Sequence, residues 1–149
     1  KKEIMDHIAP DGPVYQAGTL SGNPIAMAAG LTTLNIISDD SFYELLTTKT
    51  ERLLNGLQEQ ADAYNIPLST NHVGGMFGLF FTEEDSITSF EQVMNCNTER
   101  FNQFFHAMLK QGVYLAPSSY EAGFISITHT NDDIDETIEA AKKVFSTLN

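Results

Sequence analysis

Apolar residues recur on nearly every side of one early segment: Ile25, Met27, Ala28, Ala29, Leu31, Leu34 and Ile37. This spacing predicts a helix in which Asn23 is the N-cap and Pro24 the first helical residue, where a missing N–H costs nothing. A helix that is apolar nearly all round is expected to be buried against more than one neighbour. Ahead of it, the turn cluster Ala9-Pro10-Asp11-Gly12-Pro13 interrupts any helix begun at Glu3. Val14-Tyr15-Gln16-Ala17 reads as a strand end, and residues 18–24 as a further loop. After the break Ser38-Asp39-Asp40-Ser41, a second helix presents Phe42, Leu45, Leu46, Leu53, Leu54 and Leu57 on one face.

Beyond Pro67 the period changes. The run Val73-Gly74-Gly75-Met76-Phe77-Gly78-Leu79-Phe80-Phe81 reads as a buried strand, with glycines where a backbone or ligand approaches closely. Glu83-Glu84-Asp85 marks a solvated loop. From Thr98 a third helix carries Phe101, Phe104, Phe105, Met108 and Leu109 at helical spacing, and Gly112 ends it. Two strands are predicted next, Val113–Ala116 and Gly123–Thr128; the second alternates Phe124, Ser126 and Thr128 with Ile125 and Ile127. A last helix, capped near Thr130 or Asn131, begins with Asp132, Asp133, Asp135 and Glu136 and ends near Lys142 and Lys143, as the helix dipole prefers. The order helix, helix, strand, helix, strand, strand, helix describes an α+β sheet covered by helices from about Ser41 onward. Residues 1–40 are expected to be a separate part whose apolar helix needs a partner, either more of the chain or a second subunit.

Composition narrows the function classes. The net charge is −12, from 20 acids against 8 bases. The bases are scattered, so a nucleic-acid backbone or an anionic membrane surface would be repelled. No apolar run approaches the roughly 18 residues of a membrane helix. Cys96 stands alone, which excludes an internal disulfide and fits a reducing, cytoplasmic compartment. It is expected to pack as a small hydrophobe. The chain begins Lys1-Lys2-Glu3-Ile4-Met5 without a leading methionine or signal-peptide pattern. That start is compatible with a piece of a longer protein, and equally with a removed initiator.

Candidate chemistry centres on Gly18-Thr19, a few residues ahead of a helix N-terminus. Backbone N–H groups, a hydroxyl and the positive end of a helix dipole there would suit an anion. No Lys-Ser or Lys-Thr follows, so it is not a P-loop. On this physics alone, the residues read as ordinary loop chemistry, a turn followed by a cap. His7, His72, His106 and His129 lack metal-ligand spacing. Asp132-Asp133-Ile134-Asp135-Glu136 lacks the glycine and terminal glutamate of a calcium loop. No metal site is expected.

Three stretches carry a family likeness. Residues 12–30, Gly-Pro-Val-Tyr-Gln-Ala-Gly-Thr-Leu-Ser-Gly-Asn-Pro-Ile-Ala-Met-Ala-Ala-Gly, resemble the signature of glutamate-1-semialdehyde 2,1-aminomutases. These are fold-type I pyridoxal-phosphate enzymes of the class-III aminotransferase group. Residues 73–82, Val-Gly-Gly-Met-Phe-Gly-Leu-Phe-Phe-Thr, and 115–124, Leu-Ala-Pro-Ser-Ser-Tyr-Glu-Ala-Gly-Phe, are similar to the same family, in the same order. The resemblance implies that residues 1–40 end the large domain, and that 41–149 form the small C-terminal domain with its antiparallel sheet covered by helices. It also implies a homodimer, an amino-aldehyde substrate, and pyridoxal 5'-phosphate or pyridoxamine 5'-phosphate as cofactor. Gly18 and Thr19 would bind the phosphate of the cofactor held by the opposite subunit. Tyr15 would lie at the active-site mouth, and Glu121 would face the cofactor and substrate. The plainer readings are an amphipathic loop residue for Tyr15 and a solvated carboxylate for Glu121. Uncharged Tyr120, Ala122, Gly123 and Phe124 suggest a shielded carboxylate at Glu121.

The chemistry needs a Schiff-base lysine. In the family it lies in a glycine-rich stretch upstream of the part resembled here. Lys1 and Lys2 match a basic pair after that stretch, and Lys49, Lys110, Lys142 and Lys143 fall on predicted helices. The chain alone is therefore expected to be inactive. An ω-aminotransferase of the same fold and a non-catalytic anion- or partner-binding domain are the rival readings.

Overall fold

The computed structural model describes residues 1–148. The chain divides after Ser38 into two compact units. In the first, a one-turn helix α1 (Lys2–Met5) runs into the proline-glycine cluster. Ala9 N–H donates to the Val14 carbonyl at 2.8 Å, and Val14 N–H to the His7 carbonyl at 2.9 Å. The strand end expected at Val14–Ala17 reduces to a single bridge, Ile8 to Val14. Residues 15–17 have no ladder to join, and a strand without a partner is not stable. Helix α2 (Pro24–Ile37) begins as expected, with the Asn23 side chain accepting from the N–H groups of Ile25 and Ala26. None of its residues is buried within this chain, and Ile25 is 81 % exposed. The expected burial is thus not supplied by the described residues.

The second unit begins where Asp39 caps the 24-residue helix α3 (Asp40–Ala63). Leu53, Leu54 and Leu57 face the core, while Leu45, placed on the same face by spacing, is exposed. The predicted strand Val73–Phe81 is instead a hairpin, β1 (Ser69–Val73) and β2 (Met76–Phe80), turning at Gly74-Gly75. Gly74 adopts φ +56°, the left-handed conformation a two-residue turn requires. The polar run Ser69-Thr70-Asn71-His72-Val73 hid the first strand, because its only buried residue is Ser69.

A short helix α4 (Phe90–Met94), held by a Ser89–Gln92 capping box, was not expected. Helix α5 (Thr98–Lys110) buries Phe101, Phe104, Phe105 and Met108. It ends at Gly112 (φ +90°), where the N–H groups of Gly112 and Val113 donate to the carbonyls of Leu109 and Met108, both at 3.0 Å. That cap draws Val113–Ala116 along the core as extended loop, so the strand predicted there does not form. The next predicted strand shortens to β3 (Gly123–Phe124), paired with Phe77 and Met76. Helix α6 (Asn131–Phe145) is capped by Thr130 in a capping box with Asp133.

The result is the α+β arrangement expected: a three-stranded antiparallel sheet in the order β1-β2-β3, with helices packed on it. On β2 the pleat divides the side chains: Phe77 and Leu79 are buried, while Met76, Gly78 and Phe80 lie on the other face. The core stacks Phe104 on Phe145 with centroids 5.1 Å apart, and Phe81 tilts onto Phe104 at 5.4 Å. Helices α3 and α6 cross closely at Gly56. A Cβ there would strike the Ile138 side chain, with Cγ1 at 2.8 Å. Above the crossing, Arg52 grips Asp135 through Nε–Oδ1 at 3.0 Å and Nη2–Oδ2 at 2.7 Å.

Two outcomes follow from this packing. Gly56→Ala gains helix propensity of about 1 kcal/mol yet overpacks the crossing at a cost of about 1–3 kcal/mol. The variant should therefore melt below the wild type in a calorimetric scan. The Asp135 carboxyl is held below the usual range by its hydrogen bonds from Arg52 and by that charge. A lowered folded pKa contributes stability above the unfolded value of about 3.9 and loses it as pH falls through the folded value. The urea midpoint of wild type should exceed that of Asp135→Asn at pH 6, and the gap should shrink toward pH 3.

Candidate functional site

In the first unit, Tyr15, Gly18 and Thr19 share the loop that enters α2, and all are exposed. The turn is closed by Ser21 N–H to the Gly18 carbonyl at 2.8 Å and Asn23 N–H to the Leu20 carbonyl at 3.0 Å. A Cβ at Gly18 would meet the Ser21 hydroxyl, which would have to rotate away. Among the described residues, neither the N–H groups of Gly18 and Thr19 nor the Thr19 hydroxyl makes a hydrogen bond within the chain. The helix itself offers less than its position suggests, because Asn23 already occupies the N–H groups of Ile25 and Ala26. The loop supplies the donors and the helix supplies its dipole.

Glu121 belongs to the second unit. It ends a turn in which Glu121 N–H donates to the Ser118 carbonyl at 3.1 Å and Tyr120 N–H to Ser118 Oγ at 3.2 Å. Within this chain the side chain is exposed, as the plainer reading of a solvated carboxylate has it. Uncharged neighbours do not desolvate a residue when the turn points them outward, and Tyr120 is itself 52 % exposed.

Beside Glu121 lies an open groove of about 460 Å³, walled by the outer face of β2, by α4 and by residues 119–122. Its polar contributors include Asn71, His72 and Glu121, and its apolar ones Phe80 and Phe90. Sequence reasoning missed this groove because it missed α4. The signal was Ser89 followed three residues later by Gln92.

The other candidates resolve as structure. Cys96 is buried and donates from Sγ to the Gln92 carbonyl at 3.3 Å, and burial pushes its thiol up. His129 Nδ1 accepts from Ser126 N–H at 3.0 Å, and Lys49 donates to the His129 carbonyl. Asp133 is held below the usual carboxylate range by the Thr130 side chain and backbone, as a cap should be. Among the described residues no group of side chains could hold a metal ion, and no helix is long and apolar enough to cross a membrane.

The family model of class-III aminotransferases matches residues 1–145. The chain belongs to the class-III aminotransferase family. Solved structures share the fold. An ω-transaminase from Sphaerobacter thermophilus superposes with TM-score 0.70 at 19 % identity, covering 97 % of this chain and 33 % of its own. The PLP internal aldimine form of the Sphingopyxis sp. MTA144 FumI protein gives 0.69 at 29 % identity, covering 89 % and 29 %. A β-phenylalanine aminotransferase from Variovorax paradoxus gives 0.68 at 22 % identity, covering 96 % and 33 %. This chain thus spans about a third of the length of these solved structures.

The residues of the class-III loop fit one end of a pyridoxal-phosphate cofactor. Unpaired donors at Gly18 and Thr19 suit a phosphate. No lysine lies on that loop, and those of the first unit, Lys1 and Lys2, sit on or beside α1. The chain incubated with pyridoxal phosphate and then borohydride should show no stoichiometric adduct at any one lysine by peptide mass spectrometry.

Proposed function

We propose that this chain is the C-terminal part of a glutamate-1-semialdehyde 2,1-aminomutase, which converts glutamate 1-semialdehyde to 5-aminolevulinate for tetrapyrrole biosynthesis in the cytoplasm. In this reading residues 1–40 end the large domain and 41–149 form the small C-terminal domain. The observation that carries the reading is the Gly18-Thr19 loop with its unused donors. It falls within the first of three ordered stretches resembling that enzyme, inside a chain that belongs to the class-III family.

Pyridoxal or pyridoxamine phosphate, when bound, supplies an electron sink for ionising a substrate C–H bond. The residues of this chain bind and orient. Gly18 and Thr19 donate their N–H groups, and Thr19 its hydroxyl, to the phosphate of the cofactor in the opposite subunit of a homodimer. Charge-assisted bonds of this kind are the strong ones. Tyr15 borders the mouth with an amphipathic ring. Glu121 presents a carboxylate toward the cofactor and the amino group of the amino-aldehyde. The Schiff-base lysine comes from upstream sequence, so the chain alone is inactive.

A second reading is an ω-aminotransferase, favoured by the ω-transaminase and β-phenylalanine aminotransferase among the solved relatives. Amino-donor dependence separates the two. The full-length enzyme carrying this chain should convert glutamate 1-semialdehyde with no amino donor added, monitored by 5-aminolevulinate formation; strict dependence on a donor would favour the transaminase. Thr19→Val, which removes one hydroxyl from the phosphate, should raise the cofactor Kd about tenfold or more. Spectroscopic titration of the apoenzyme measures it.

A further inference from the structure

The loop bearing Glu121 is weakly held. Among the described residues, the hydrogen bonds of residues 117–122 are the two within the Ser118–Glu121 turn. One end is fixed at Gly123, which lies flat against the buried Phe77 ring; a Cβ there would meet ring carbons at 2.7 Å. Near the tip, the ring contact found among the described residues is between Tyr120 and Phe90. Tyr120 tilts onto Phe90 with centroids 6.4 Å apart and planes at 48°.

Phe90 is otherwise hard to account for. It is 70 % exposed, so it contributes little to the core. Yet it opens a helix that is firmly tied down. Gln92 caps the helix through Ser89, Cys96 buries its sulfur against the Gln92 carbonyl, and Asn97 N–H donates to the Phe81 carbonyl at 2.8 Å. A path of packed and hydrogen-bonded groups therefore runs from core Phe81 through α4 to Phe90, Tyr120 and Glu121.

We propose that Phe90 is a positioning residue: through the Tyr120 ring it fixes where the Glu121 carboxylate stands beside the groove. Its catalytic consequence rests on the role given to Glu121 above. An aromatic pair of this kind is worth little in global stability but is enough to choose among loop conformers. Removing Phe90 releases the tip while leaving the Gly123–Phe77 attachment and the core intact.

The test uses the full-length enzyme carrying this chain, with Phe90→Ala, Phe90→Tyr, Glu121→Gln and the double variant Phe90→Ala/Glu121→Gln. Phe90→Ala should raise KM for the amino-aldehyde about fivefold, with kcat changed less than about twofold. Amide exchange at residues 118–122 should accelerate while α3 and α6 keep their protection. Phe90→Tyr should restore both. On the Glu121→Gln background, Phe90→Ala should add no further KM effect. The proposal is overturned if Phe90→Ala leaves loop exchange and KM unchanged, if Phe90→Tyr fails to rescue, or if the two substitutions act additively. Faster loop exchange in Phe90→Ala, combined with wild-type kinetics in Glu121→Gln, would support the anchoring and overturn the role of Glu121.

Discussion

Phe77 stands where the core, the sheet and the site loop of the second unit meet. Its ring is buried, its backbone pairs with Gly123, and the face of the ring is covered by that glycine. Because β2 alternates, placing Phe77 and Leu79 inward obliges Met76, Gly78 and Phe80 to face outward. A register slip of one residue would expose the core residues and dissolve the groove wall together. Packing of the interior and shape of the candidate site are thus one constraint, imposed by one strand.

The two units solve different physical problems. The second closes its own core, with the Phe104 ring packed against both Phe81 and Phe145 and helices that carry their own caps. The first offers an uncharged apolar helix, none of which is buried within this chain, and a loop whose donors are unused. That pairing suits a segment whose purpose is met elsewhere in a larger assembly. It agrees with a chain that spans about a third of the length of the solved structures it matches.

Much of the second unit was readable in advance. The helices at residues 40–63, 98–110 and 131–145 follow from apolar spacing, and the stop at Gly112 and the cap at Thr130 are stated by the sequence; the caps Asp39 and Asn97 emerge only from the structure. The misreadings share one cause. Strands are defined by partners, and the linear pattern does not name partners. Val113–Ala116 has the composition of a strand and none of the pairing, whereas Ser69–Val73 has the pairing and little of the composition. The Gly74-Gly75 turn was present in the sequence as a hairpin signal but was absorbed into an apolar run.

For function, the sequence by itself determined the chemistry on offer. It contains a glycine-threonine loop ahead of a capped helix, one glutamate in a glycine-bounded turn, no cluster for a metal and no lysine in the required context. Composition and local spacing suffice for such statements because they concern which groups exist. Tertiary structure alone decided which groups are free to act. It left the donors of Gly18 and Thr19 without a partner within the chain, and it brought α4 beside the Glu121 turn. It also placed Glu121 in the open, where neighbouring uncharged residues had suggested shelter. Availability depends on contacts between residues far apart in the chain, and those contacts exist only once the sheet and its helices have closed.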